Sequence, residues 1–182
     1  MGEIHKNDIQ EILYSEEVLH EKVCEIAAQI SADYAGKNPL LVSVLKGSFI
    51  FMADLVRELN LYCTLDFMVV SSYGAGVKTS GAVKIIKDLE IDITGRDIIL
   101  VEDILDSGLT LSYLVEMLQS RGTKSIRICT LLDKPERRTA DITADYIGFT
   151  CPDKFIVGYG LDFSEKYRNL PYIGVLKPEL YV

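Results

Sequence analysis

Short apolar runs alternate along the chain with longer stretches in which apolar residues recur every three or four positions. Val18, Leu19, Val23, Ile26, Ala27 and Ile30 share one side of a helical wheel, which predicts a helix over 16–35. Ser15 stands where a capping hydroxyl belongs, Glu16 and Glu17 suit the positive end of the helix dipole, and Gly36 with Pro39 stops it. Leu40–Leu45 reads as a buried strand, followed by a tight turn at Lys46-Gly47-Ser48 and a helix over 49–59. Residues 63–71 read as another strand, and Ser72–Ser80, rich in glycine and polar residues, as a flexible loop. Strands are expected over 82–87 and 97–101, with a turn at Thr94-Gly95-Arg96 between them. A helix over 110–120 ends at Arg121-Gly122, a strand follows over 125–132, and strand-like runs fall at 145–149, 155–159 and 172–176. Alternating strands and helices predict an α/β fold with a mostly parallel central sheet and helices on both faces. No repeat, linker or low-complexity stretch divides the chain, so a single domain over 1–182 is expected.

Composition changes this picture mainly through charge. The 182 residues carry a formal net charge of −8, which argues against non-specific nucleic-acid binding. Anions must therefore be handled by local devices: backbone N–H groups, a few Lys and Arg, or a divalent cation. Cys24, Cys63, Cys129 and Cys151 are scattered, with no C-x-x-C pair, so buried free thiols are expected rather than disulfides or zinc. His5 and His20 suggest no catalytic or metal constellation and read as surface residues. The polar N-terminus (Glu3, His5, Lys6, Asn7, Asp8) has no apolar signal core, and no apolar run approaches the roughly 20 residues of a membrane span. A cytoplasmic protein with no membrane partner is expected.

The chemistry concentrates in Ile98–Thr110, where an apolar strand runs into Glu102, Asp103 and Asp106 and then into Ser107-Gly108-Leu109-Thr110 at the start of a helix. Carboxylates placed so can hold sugar hydroxyls or a metal. The small-residue turn offers N–H groups and hydroxyls to an anion at a helix N-terminus, and Gly108 lets a phosphate approach the backbone. A bland alternative is that Asp106 or Ser107 merely caps the helix. Ligands of open parallel sheets gather beyond the carboxyl ends of the strands, which favours the functional reading. Lys46-Gly47-Ser48 and Lys134 follow strands in equivalent positions, although each lysine taken alone is an ordinary surface charge. Gly74-Ala75-Gly76-Val77-Lys78-Thr79 imitates a dinucleotide fingerprint but lacks its third glycine and a following helix.

Taken in order, these segments resemble the hypoxanthine-guanine phosphoribosyltransferases, particularly the short bacterial forms. The acidic segment resembles the phosphoribosyl pyrophosphate motif of the wider class. Leu45-Lys46-Gly47, Ser72-Tyr73-Gly74, Leu132-Asp133-Lys134-Pro135 and Pro152–Asp162 narrow the resemblance to the 6-oxopurine branch. The similarity runs from about residue 10 to Leu176-Lys177-Pro178. It implies a type I phosphoribosyltransferase fold with a small hood built from the terminal segments. It also implies purine salvage: phosphoribosyl pyrophosphate and hypoxanthine or guanine give IMP or GMP and pyrophosphate, with Mg2+ as cofactor and a homodimer or homotetramer as the assembly.

The resemblance carries roles with it. Glu102 and Asp103 would face the ribose hydroxyls with Mg2+ nearby, and Asp106 would accept the proton of the purine ring nitrogen. Asp106, Ser107, Gly108, Leu109 and Thr110 would cradle the 5-phosphate. Lys46, Gly47 and Arg168 would contact pyrophosphate, and the Leu45–Lys46 peptide would be cis. Lys134 would donate to the purine 6-oxo group, Phe155 would stack on the base, and Ile156 would bind it through its backbone. Asp162 would help to hold a second Mg2+ or read the exocyclic edge of guanine. Ser72 and Tyr73 would begin a loop that closes over the reacting centre. Some relatives carry a basic residue where Leu109 stands, so phosphate binding here would rest on backbone and hydroxyl donors. A regulator on the same fold, binding nucleotides or RNA, is the main alternative, and a receiver-like domain phosphorylated at Asp103 or Asp106 is a weaker one.

Overall fold

The first predicted helix forms as α1 (Glu16–Asp33), and the Ser15 hydroxyl accepts the Val18 N–H at 3.4 Å, as its capping position requires. The computed structural model describes residues 7–72 and 83–181. Before α1 lies β1 (Ile9–Tyr14). After it come β2 (Leu40–Leu45), α2 (Phe49–Glu58), β3 (Thr64–Ser72), β4 (Val83–Lys87), β5 (Asp97–Leu105) and α3 (Leu109–Ser120). The remaining strands are β6 (Ser125–Asp133), β7 (Tyr146–Thr150), β8 (Ile156–Val157) and β9 (Ile173–Leu176).

Six strands form one sheet in the order β4-β3-β2-β5-β6-β7, parallel throughout except where β4 pairs antiparallel with β3. Successive side chains of a strand point to opposite faces, and the core divides accordingly. Leu41, Ile99, Val101, Cys129 and Leu131 pack with α1 and α2, whereas Leu40, Val42, Ile98, Leu100 and Ile128 pack with α3 through Leu111, Leu114 and Leu118. Both faces are thus covered, which is why the central strands read as unbroken apolar runs.

A second, antiparallel sheet in the order β1-β9-β8 unites both ends of the chain and stands over the carboxyl ends of the parallel strands. It is the hood expected from the resemblance.

Three details differ from expectation. The apolar pattern ends β5 at Val101, but the strand continues to Leu105, because β6 keeps pairing with it up to Leu105 opposite Asp133, whereas β2 pairs only as far as Val101. Glu102 and Asp103 therefore belong to a strand and not to a loop. The run expected over 155–159 shortens to β8, because Gly158 and Gly160 take φ of 103° and 104° and turn the chain back on itself. Of the four cysteines, Cys129 and Cys151 are buried as expected, while Cys24 and Cys63 are only half-buried; all are free thiols.

Candidate active site

β5 places its acids by strand geometry. Successive residues face opposite sides, so Glu102 lines a small cavity of about 120 Å³ together with Asp106, Ser107, Gly108 and Thr110, while the Asp103 carboxylate reaches toward Gly47. A Cβ on Gly47 would lie 1.8 Å from Asp103 Oδ2, and one on Gly160 would lie 2.0 Å from the Gly47 carbonyl oxygen. Gly47 is thus sandwiched between the β5 carboxylate and the turn after β8: a side chain on Gly47 would displace the Asp103 carboxylate, and one on Gly160 would strike backbone. The Leu45–Lys46 peptide that delivers it is cis, as the resemblance implied.

The turn after β5 is a cradle of backbone groups. Gly108 starts α3 at φ 81°, a left-handed conformation that suits glycine, and a Cβ there would meet Ile142 at 2.6 Å. No side chain of Asp106 or Ser107 caps α3 strongly; the Ser107 hydroxyl only approaches the Leu109 N–H at 3.5 Å. The cradle is fastened from behind by Arg138. Its guanidinium donates to the carbonyls of Asp106 (2.8 Å), Leu105 (3.1 Å) and Ile142 (2.7 Å) and pairs with the Asp133 carboxylate. Thr139 and Ala140 N–H groups donate to the Ser107 carbonyl at 3.0 and 3.1 Å.

A larger cavity of about 550 Å³ adjoins the cradle and shares Ile104 and Asp106 with it. Lys134, Phe155, Ile156 and Asp162, which the resemblance singled out, line it together. Lys134 is 6% exposed; its ammonium donates to the Lys154 carbonyl at 2.7 Å and lies 3.7 Å from Asp153 Oδ1. Phe155 is half-exposed at the rim, with Tyr181 stacked on it (centroids 4.5 Å apart) and Phe163 edge-on at 5.5 Å. Ile156 is buried, its strand paired to β9. Asp106 Oδ1 is buried without a hydrogen-bond partner, while its other oxygen lies 3.8 Å from Arg137. A buried carboxylate oxygen left without a partner, on a residue that lines both cavities, is the exception in a folded chain and calls for a ligand or a chemical role.

Beside Gly47 and Gly160 the cations are already engaged. Lys46 pairs with Glu165 at 3.1 Å, both being largely exposed. Arg168 pairs with Asp162 at 2.8 Å and lies 3.6 Å from Glu165, and it donates to the Gly160 carbonyl at 2.8 Å. Ser72 ends β3, but Tyr73 and the rest of the loop expected over Ser72–Ser80 lie outside the described residues.

Electrostatics mark the two β5 acids. Burial, with the neighbouring Asp103 charge, pushes the Glu102 carboxyl well above its ordinary range. Burial raises Asp103 to about 6, against the opposing pull of the Ile104 N–H and Arg168. Each of these carboxyls resists ionisation when no cation stands beside it, and each, on its own face of β5, offers the oxygen donors that a hard divalent cation takes. Glu102, Asp103 and Asp162 do not close into a three-carboxylate cage, since among the described residues the one such convergent trio lies elsewhere. Mg2+ commonly keeps waters and substrate phosphates around one or two carboxylates, so these residues fit it.

Sequence reasoning overlooked several neighbours of the site. Arg137 pairs with Asp153 at 2.6 Å, Glu165 holds Lys46, Tyr181 covers Phe155, and Arg138 fastens the cradle. The only prior signal for the arginines was the charged run 133–138, which reads equally well as a solvated loop.

A model of the phosphoribosyl transferase domain family matches residues 10–164. The chain belongs to that family. Within it, the hypoxanthine-guanine phosphoribosyltransferase of Bacillus subtilis is 57% identical over 176 residues, covering 97% of this chain and 98% of that protein. The bifunctional TilS/HprT protein of Listeria innocua is 56% identical over 96% of this chain, but the chain spans only 27% of that protein's length. The crystal structure of a hypoxanthine phosphoribosyltransferase from Staphylococcus aureus matches with a TM-score of 0.97 at 50% identity, covering all of this chain and 99% of that one. No helix of the described residues is long and apolar enough to cross a membrane.

Proposed function

We propose that the protein is a purine-salvage phosphoribosyltransferase. It moves the 5-phosphoribosyl group from phosphoribosyl pyrophosphate to hypoxanthine or guanine, giving IMP or GMP and pyrophosphate. The observation that carries this reading is the pair of adjoining cavities, one lined with backbone donors and one with Lys134 and an aromatic rim, which share Asp106. Relatives named for this reaction, similar over nearly the whole chain, support it.

The 5-phosphate sits in the Asp106–Thr110 cradle, whose N–H groups and hydroxyls need no basic side chain at Leu109. Lys46, the Gly47 backbone and Arg168 receive the pyrophosphate. The base lies in the larger cavity against Phe155, with Ile156 at its edge and the Lys134 ammonium donating to its 6-oxo group. Adenine presents a donor at that position, so two donors would face each other and adenine is rejected. As the ring nitrogen attacks the ribose carbon and pyrophosphate departs, Asp106 takes the nitrogen's proton. Glu102 and Asp103 hold the ribose hydroxyls in register, so catalysis is chiefly positioning and charge stabilisation. Glu102, Asp103 and Asp162 are the residues that would hold Mg2+, which neutralises charge on the leaving pyrophosphate. The protein acts as a single cytoplasmic domain, assembled as a homodimer or homotetramer, without nucleic-acid or membrane partners.

The test is an assay of each purine base with phosphoribosyl pyrophosphate and Mg2+, run beside Asp106→Asn. Hypoxanthine and guanine should be consumed and adenine should not. The variant should lose about 10²–10⁴-fold in kcat while retaining phosphoribosyl pyrophosphate binding, the range usual for a lost general base. A parent protein that consumes no base sinks the enzyme reading, and an unimpaired variant sinks the role of Asp106.

A further inference from the structure

On the outer surface where α1 meets the end of α2, far along the chain from the acids of β5, three ligand-type side chains converge. His20 and Cys24 stand four residues apart on α1, so they share one helical face. Glu58, the last residue of α2, completes the group. One ligand atom from each lies within 4.8 Å of the other two, and Cys24 Sγ is 3.8 Å from His20 Nε2. The four-residue spacing of His20 and Cys24 is legible in the sequence, but the third member arrives from another helix and is not.

We propose that His20, Cys24 and Glu58 form a second metal site, selective for a thiophilic divalent cation such as Zn2+. Imidazole nitrogen, thiolate sulfur and carboxylate oxygen are the donors that tetrahedral Zn2+ takes. With bonds of about 2.0–2.3 Å, its ligand atoms lie roughly 3.3–3.8 Å apart. The sulfur–nitrogen spacing already meets this, and the other separations must contract by no more than roughly 1.5 Å. His20 and Glu58 are exposed and Cys24 is half-buried, so the cation enters from solvent and water fills the fourth position. Binding releases the Cys24 thiol proton to solvent. Mg2+, a hard cation that prefers oxygen donors, does not compete, so the site is separate from the metal of the transfer reaction. A bound cation ties α1 to the end of α2. The proposal does not rest on the assigned reaction.

The experiment titrates the untagged, metal-stripped full chain with Co2+ as a spectroscopic stand-in for Zn2+. One equivalent should bind with an intense thiolate-to-cobalt absorption and the visible bands of a four-coordinate ion, and Zn2+ should abolish both. Cys24→Ser should remove the thiolate band, Glu58→Gln should weaken binding by about tenfold or more, and Cys63→Ser should change neither. Saturating Zn2+ should raise the Tm of the parent but not of Cys24→Ser, because only the native state assembles the site. No thiolate band in the parent, a band that survives Cys24→Ser, or undiminished binding by Glu58→Gln would each overturn the proposal.

Discussion

Beyond the end of β5, Gly108 and its neighbours present backbone groups that Arg138 ties to Asp133 and to three carbonyls. Across the cleft, Lys46, Arg168 and Lys134 present long side chains already paired with Glu165, Asp162 and Asp153. The cradle can meet an anion with donors fixed in advance, so little reorganisation opposes binding there. The opposite side carries internal partners, so an anion arriving there competes with protein carboxylates already in place. One wall of the site is rigid and open, the other self-latched. The latched cations can fall back on protein carboxylates whenever an anion leaves them.

The largest effect should come from breaking the rigid wall. Arg138→Ala leaves the poorly exposed Asp133 carboxylate uncompensated and frees the Asp106 carbonyl of the β5 turn, which should cost about 3 kcal/mol in stability. Urea denaturation measures the loss, and kcat/KM should fall as well, because the 5-phosphate donors lose their anchor. A stable, fully active variant would mean that the cradle holds its shape unaided.

Asp103→Asn sharpens the contrast by separating stability from function. A carboxyl whose folded pKa of about 6 exceeds its ordinary value of 3.8 binds protons more tightly in the native state. Its contribution therefore worsens as pH rises from about 4 to about 6 and stays unfavourable above. The ligand-free variant should be more stable than the parent at pH 7, by about 1–3 kcal/mol, and the gap should close near pH 4. Denaturation across that pH range reads it, while activity is lost. A gap independent of pH would show that the buried charge is not its source.

The smallest effect should come from unlatching the other wall. Glu165→Gln removes the carboxylate shared by Lys46 and Arg168 while leaving stability nearly unchanged, since the pair is exposed. The KM for phosphoribosyl pyrophosphate should fall by roughly two- to fivefold, as Lys46 becomes available while Arg168 keeps its Asp162 partner. An increased KM would assign Glu165 to holding the cations in place and not to occupying them.

Much of this arrangement was legible in the chain. The period of Leu19, Val23, Ile26 and Ile30 and the Ser15 cap are local signals, and α1 formed as they required. The order of strands and helices predicted the parallel sheet, and the post-strand positions of Lys46 and Lys134 led to the cleft. The true end of β5 was not legible, because it depends on pairing with β6 and not on where apolar residues stop. Nor was the Arg138 clasp or the His20–Cys24–Glu58 group, since both depend on side chains meeting from segments whose docking is fixed only by tertiary packing. Tyr181 was missed for the same reason: a single aromatic near the chain's end carries no periodicity.

The contact between Gly47 and Gly160 has a mechanical consequence. Two chain segments touch there backbone to backbone, with no side chain between them to yield. In most proteins a methyl group or a longer stem cushions such a meeting, and small shifts die out within it. Here the turn after β8 and the loop after β2 behave like meshed teeth. Any displacement of the turn after β8 would therefore press directly on the loop after β2, so the two segments can shift only together.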